Sequence, residues 1–189
     1  MKIRKNLILL SMMLIISSLF TACVSDDDNS ANYISDKNFY SFLSYAIVVL
    51  EADAYNQNFA GKPTGNIDAD VEGPYGGSIK VTGSTNRASD VDITTVDLTY
   101  TLVNVKQIVT STDGKLVCNA TLNGTLKVKG SFNESYKSMS FNSPDMSISG
   151  TMTYGSAERE IDEQGDVSIS ASHHKGQTRG EIFDHTFSW

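Results

Sequence analysis

From residue 65 to the end of the chain, apolar side chains return at every second position, and this constrains the fold more than any other feature. Ile79 and Val81 alternate with Lys80 and Thr82, and Val96, Leu98, Tyr100 and Leu102 alternate with Asp97, Thr99 and Thr101. Leu116, Cys118 and Ala120 alternate with Val117, Asn119 and Thr121, and Leu126, Val128 and Phe132 with Lys127, Lys129 and Ser131. Met146, Ile148 and Met152 repeat the pattern against Ser147, Ser149 and Thr151, and Val167, Ile169 and Ala171 against serines. Successive side chains of a strand point to opposite faces, so each segment has one dry and one wet face. This is half-buried antiparallel sheet. Ser and Thr make up about a quarter of residues 65–189, which suits the wet face.

Turn residues recur about every 10–12 positions. Thr112-Asp113-Gly114, Leu122-Asn123-Gly124, Gln164-Gly165 and Lys175-Gly176 all tolerate positive φ. At Leu122-Asn123-Gly124, a two-residue loop would set the two flanking apolar rows on opposite faces. A three-residue loop with Gly124 left-handed would align Ala120 with Leu126 and Cys118 with Val128, and one-sided burial selects it. The run from Val91 to Val109 is too long for one regular strand. Its apolar parity shifts between Ile93 and Val96 and again at Leu102-Val103, which predicts bulges or a sharp bend. Consecutive hairpins predict a mainly β domain, an up-and-down meander of 8–10 strands. A sheet that long curls, and the expected architecture is an open or closed barrel, with a β-sandwich as the alternative.

A different period precedes the sheet. Over residues 35–59, Phe39, Phe42, Leu43, Ala46, Val49 and Leu50 recur at helical spacing, with Lys37, Ser44 and Glu51 off the stripe. Ser35 or Asp36 can cap this helix, and Gly61 and Pro63 end it. Interfacial helices carry a Lys/Arg-rich polar face, and this one has few charges, mostly acidic, so packing on the domain's own sheet is expected.

The N-terminus carries an address. Lys2, Arg4 and Lys5 form a basic start, and Leu7 to Phe20 is apolar apart from Ser11, Ser17 and Ser18. That length suits a signal-peptide core better than a membrane span. It ends in Leu19-Phe20-Thr21-Ala22-Cys23, which resembles the lipobox of bacterial lipoproteins. The resemblance implies cleavage before Cys23 and acylation of its thiol. Ser25, Asp26, Asp27 and Asp28 follow and resemble the export signal that sends lipoproteins of one Gram-negative group to the outer face of the outer membrane. The expected organisation is therefore a signal peptide at 1–22, a lipid anchor and acidic tether at 23–34, a helical segment at 35–64 and a β domain at 65–189. Together with strand glycines flanked by Thr or Ser (Thr82-Gly83, Gly124-Thr125, Gly150-Thr151, Arg179-Gly180) and Gly73-Pro74-Tyr75-Gly76-Gly77-Ser78, the chain resembles bacterial surface lipoproteins with calycin-like or lipocalin-like β-barrels. That resemblance implies a fold and an apolar ligand cavity, and it carries over no catalytic residue.

Three of the 15 basic residues lie in the first 22, so the chain from Cys23 onward has 12 basic against 22 acidic residues. Such a balance disfavours nucleic acid. With Cys23 acylated, Cys118 has no intrachain partner, and its place on an apolar row makes it a small core hydrophobe. No P-loop, dinucleotide fingerprint, Gly-Xaa-Ser-Xaa-Gly elbow or His-Glu-Xaa-Xaa-His stands in the sequence. His173 and His174 point to opposite faces of one strand. A two-residue turn at Lys175-Gly176 would set His173 against Thr178 and His185 against Asp166, so the three imidazoles would not converge. Asp68, Asp70 and Glu72 alternate and resemble the start of an EF-hand loop, but Ile79 stands where the bidentate Glu is required. The three carboxylates could hold a loose Ca²⁺ or simply charge an edge strand. Glu158, Glu160, Asp162 and Glu163, mixed with Arg159, read as an exposed hairpin end. Phe183, Phe187 and Trp189 alternate at the C-terminus and read as a last strand closing the core.

No catalytic, metal or cofactor site is expected, and the chain does not read as an enzyme. The functional expectation is a surface-exposed lipoprotein, anchored to the outer membrane through Cys23. It would act as a non-catalytic binding module for a small apolar molecule or a glycan, and the alternative is a structural, adhesin or assembly subunit with a surface protein partner. An interior cavity lined by Leu98, Tyr100, Met146 and Met152 would favour the first, and a solid core with a bare edge strand the second.

Overall fold

The computed structural model describes residues 33–88, 92–133, 137–172 and 177–189. One helix, α1 (Asp36–Asn58), precedes eight strands: β1 (Gly65–Glu72), β2 (Ser78–Ala88), β3 (Ile93–Thr110), β4 (Leu116–Phe132), β5 (Lys137–Tyr154), β6 (Ala157–Ser172), β7 (Gln177–Ile182) and β8 (His185–Ser188). All eight form one antiparallel sheet in the order β1 to β8. This is the expected up-and-down meander, and it remains open because β1 and β8 do not pair.

Burial follows the alternation. Leu98, Tyr100, Cys118, Val128, Ile148 and Ile169 are each at most 1% exposed, while Ser149 is exposed. One face is dry and the other wet, so the sandwich alternative fails. The dry face curls around α1, which meets residues of β1, β3, β4, β6 and β8. Fourteen of the 23 helix residues are buried, and Val49 is only half-buried. Ser44 and Glu51, expected off the stripe, are buried, because a curled sheet encloses more of the helix than a flat one would.

The Oγ of Ser35 caps the helix by accepting from the Asn38 N–H at 3.3 Å. At the same end the Arg159 guanidinium lies 3.7 Å from the Phe39 ring centroid and donates to Asp36 at 2.7 Å. At the C-terminus of the chain, Trp189 Nε1–H donates to Ser44 Oγ at 2.9 Å, and that hydroxyl donates to the Ser41 carbonyl at 2.7 Å. Trp189 also exchanges backbone hydrogen bonds with Thr178 at 2.6 and 2.8 Å. The C-terminal aromatics therefore close the core, with Phe187 and Trp189 buried.

Two expected turns are absent. Leu122-Asn123-Gly124 lies inside β4, and Gln164-Gly165 lies inside β6. In β4 every even position from 116 to 122 and from 126 to 128 is buried, so a straight strand satisfies one-sided burial without a loop. Ala120 pairs with Gln107 and Gly150 rather than facing Leu126. The Asn-Gly pair serves instead at an irregularity, where Asn123 Oδ1 accepts from the Asn104 N–H at 2.7 Å. Asn104 has φ +51, and the β3 register shifts between Leu102 and Val105, where the apolar parity of the sequence breaks. No shift occurs between Ile93 and Val96, where pairing with β2 and β4 is regular. The Thr112-Asp113-Gly114 turn forms as expected, with Asp113 Oδ1 accepting from the Lys115 N–H at 3.1 Å.

The strand glycines explain the curl. Gly150 lies on the dry face of β5 with φ +146, and a Cβ there would fall on the Asn119 carbonyl oxygen of β4. Gly83 stands in the same relation to the Asp97 carbonyl of β3. Neighbouring backbones can approach and bend at such positions because no side chain intervenes.

Candidate functional site

The outer wall of β6, β7 and β8 carries two rows of side chains set by the register. Ser170 pairs with Arg179, and Arg179 with Ser188. Two residues along, Ser168 pairs with Glu181, and Glu181 with Thr186. All six are exposed, so each row presents a charged group flanked by two hydroxyls. Gly180 and Phe187 pair between the rows with the opposite parity, and the Phe187 ring is buried on the dry side. Lys37, exposed in the first turn of α1, completes the lining of an open groove of about 650 Å³. The Ser168 hydroxyl donates to Asn142 Oδ1 at 3.3 Å. Among the described residues no ion pair involves Lys37, Arg179 or Glu181.

Behind the sheet, the curl provides no comparable opening around the residues expected to line an interior cavity. Leu98, Tyr100, Met146 and Met152 are at most 1% exposed, and α1 lies against their face. A polar group is nevertheless enclosed there. Tyr100 donates its hydroxyl hydrogen to Glu51 Oε1 at 3.1 Å. Burial raises the Glu51 carboxyl above the usual carboxylate range, with Lys137 and the Tyr100 hydrogen bond opposing. Burial lowers the Lys137 ammonium, and Glu51 opposes that shift. Tyr55, beside them, is pushed up to about 12 by burial and then by Glu51. Further along α1, Gln107 Nε2–H donates to Asp53 at 3.4 Å, while Gln107 Oε1 is buried without a partner. Sequence reasoning missed this cluster because Glu51 breaks the apolar stripe and Lys137 starts a strand. Neither pattern marks a buried group.

Cys23, Ser25, Asp26, Asp27 and Asp28 lie outside the described residues, as do His173 and His174. His185 does not face Asp166. It opens β8, pairs with Ile182, and stacks on Tyr40 at 3.7 Å between ring centroids. Thr178 pairs with Ala171, so the register between β6 and β7 differs from the expected one. Asp68, Asp70 and Glu72 share the exposed side of β1, and the Lys80 ammonium of β2 pairs with Asp68 and reaches Asp70 at 3.7 Å. One ammonium thus already contacts two of the three carboxylates. Among the described residues no group of three His, Cys, Asp or Glu side chains is arranged to hold a metal. The acidic stretch after Ala157 opens β6 next to the β5–β6 turn, with Glu158, Glu160 and Asp162 exposed as expected. Arg159 and Glu163 face the helix, and Glu163 accepts from the Tyr40 hydroxyl at 3.1 Å. Cys118 is buried, and its thiol is pushed up to about 12 by that burial, the opposite of what a nucleophile needs.

The fold is thus an open, curled meander wrapped on its own helix, with a polar groove on the outside. Comparison of the chain with family models, curated proteins and solved structures gives no match.

Proposed function

We propose that the chain is a lipid-anchored surface module that binds a polar ligand, a glycan, on the β6–β8 wall without catalysing a reaction. The observation that carries this reading is the division of space between the two faces. The dry face is taken up by α1, which disfavours the apolar-ligand version of a calycin-like cavity. The outer groove offers hydroxyls and charges without an ion-pair partner among the described residues, the group types that meet sugar hydroxyls. Anchoring rests on the Leu19-to-Cys23 segment, and surface exposure on Ser25 and Asp26–Asp28.

A panel of oligosaccharides titrated against the full-length chain tests the binding reading. Ser170→Trp, which fills the groove from an exposed strand position, should abolish binding while leaving the melting temperature unchanged. Binding that survives this change would place the ligand elsewhere. For the address, Cys23→Ala should release the protein from membrane fractions, and Asp26–Asp28→Ala should protect it from protease added to whole cells.

An assembly subunit is the second reading, favoured by one feature. Among the described residues the outer edge of β1 pairs with no strand, so its backbone could accept a partner's strand. Asp68, Asp70 and Glu72 charge that strand, which would restrict partners to those carrying complementary Lys or Arg.

A further inference from the structure

We propose that the β6–β8 groove selects acidic sugars, with Arg179 and Lys37 taking the carboxylate of a uronic acid and Glu181 taking hydroxyls of the same residue. This rests on the reading of the groove as a glycan site and goes on to name the class of glycan. The register supplies the first argument. Arg179 stands between Ser170 and Ser188, so a fork of N–H donors is flanked by two O–H donors one strand away on each side. A carboxylate is an acceptor only, and an arginine fork matches it with two parallel hydrogen bonds. Glu181 stands between Ser168 and Thr186 and presents acceptors to sugar O–H groups.

The second argument is spacing. Arg179 and Glu181 are two residues apart on one strand, which separates their rows by about 7 Å. That is on the order of the span from the carboxylate of a uronic acid to the hydroxyls across its ring. One ring lying between the rows would therefore reach both. The third argument is charge. Elsewhere on the outer wall Lys129 meets Asp97 at 2.8 Å, and Lys80 meets Asp68 and Asp70. Lys37 and Arg179 have no such partner among the described residues, although the whole chain carries a net charge of −7. Two cations against the one carboxylate of Glu181 leave this groove of an acidic protein locally positive, and it attracts an anion. The acidic remainder repels polyanions in general, which keeps non-specific binding low.

The test compares an oligogalacturonide with its fully methyl-esterified form, which has the same sugar rings and no charge. Binding to the full-length chain is measured by calorimetry at low ionic strength. The acid should bind on the order of ten-fold more tightly than the ester. Arg179→Ala should remove that preference, and Glu181→Gln should enlarge it by relieving like-charge repulsion. Both positions are exposed, and an unchanged circular dichroism spectrum will verify folding. Equal affinity for acid and ester overturns the acidic-sugar proposal and leaves the glycan reading standing. No binding of either form, or of any neutral oligosaccharide, overturns both.

Discussion

The hydroxyl of Tyr100 and the carboxylate of Glu51 meet at 3.1 Å across the interface between sheet and helix, with Tyr100 1% and Glu51 3% exposed. A carboxyl enclosed by apolar side chains favours its neutral form. Its pKa is raised, so between the ordinary carboxylate range and the folded value the native state binds the extra proton. Stability contributed by this group is full below the unfolded pKa and declines as pH rises through the folded one. Glu51→Gln keeps an acceptor for Tyr100 and removes the titration. Relative to the parent it should be closest in stability near pH 4 and gain as pH rises to 7. Urea unfolding of both proteins at the two values checks this. A difference that stays constant with pH would show that the carboxyl titrates normally. Glu51→Ala should instead cost about 1–3 kcal/mol for the stranded Tyr100 hydroxyl alone.

Ile148 and Ser149 are neighbours on opposite faces of β5. Ile148→Ala removes a fully buried side chain and should destabilise by about 2–5 kcal/mol. Ser149→Ala, exposed to solvent, should change stability by no more than about 0.5 kcal/mol. Chemical denaturation of both variants measures the contrast. Similar losses would mean that both faces are covered in the assembled protein.

At Gly150 the requirement is backbone, not packing. With φ +146 and the Asn119 carbonyl where a Cβ would stand, even alanine is excluded unless β4 and β5 move apart. Gly150→Ala should cost about 1–3 kcal/mol, a loss that scanning calorimetry will register as a lower melting temperature. A variant as stable as the parent would mean that the curl does not depend on this close approach.

These cases separate what was legible from what was not. The two-residue period placed Ile148, Leu98 and Cys118 on the dry face because side-chain direction is a local property. The parity break at Leu102-Val103 likewise located the β3 irregularity. Turn chemistry misled at Asn123-Gly124, because a glycine that permits a turn equally permits a close backbone approach, and only the partner strands distinguish the two. The reverse happened at the last hairpin. Phe183 and Asp184 both have positive φ, as a type I′ turn demands, yet neither is glycine, so β7 and β8 read as one segment. The groove was illegible for a related reason. Ser170, Arg179 and Ser188 come from three strands, and their row exists only once that hairpin sets the register.

The last hairpin gives the final prediction. β8 is four residues long, too short to hold itself by ladder bonds alone, and it is the edge that carries Thr186 and Ser188 of the groove. Trp189 fixes it. Its indole N–H reaches Ser44 on the helix, its ring meets Tyr45 edge-on at 5.8 Å, and its backbone pairs with Thr178. Trp189→Phe keeps an aromatic ring and loses the indole hydrogen bond, which should cost about 0.5–1.5 kcal/mol. Trp189→Ala also loses the ring and should cost about 3–5 kcal/mol. Because the contact joins β8 to α1, the first consequence should be local. Amides of β7 and β8 should exchange faster with deuterium in Trp189→Ala, while those of β4 and β5 keep their relative protection. Uniform loss of protection across the sheet would show that β8 unfolds only together with the whole domain, and that Trp189 stabilises the core rather than the wall of the groove.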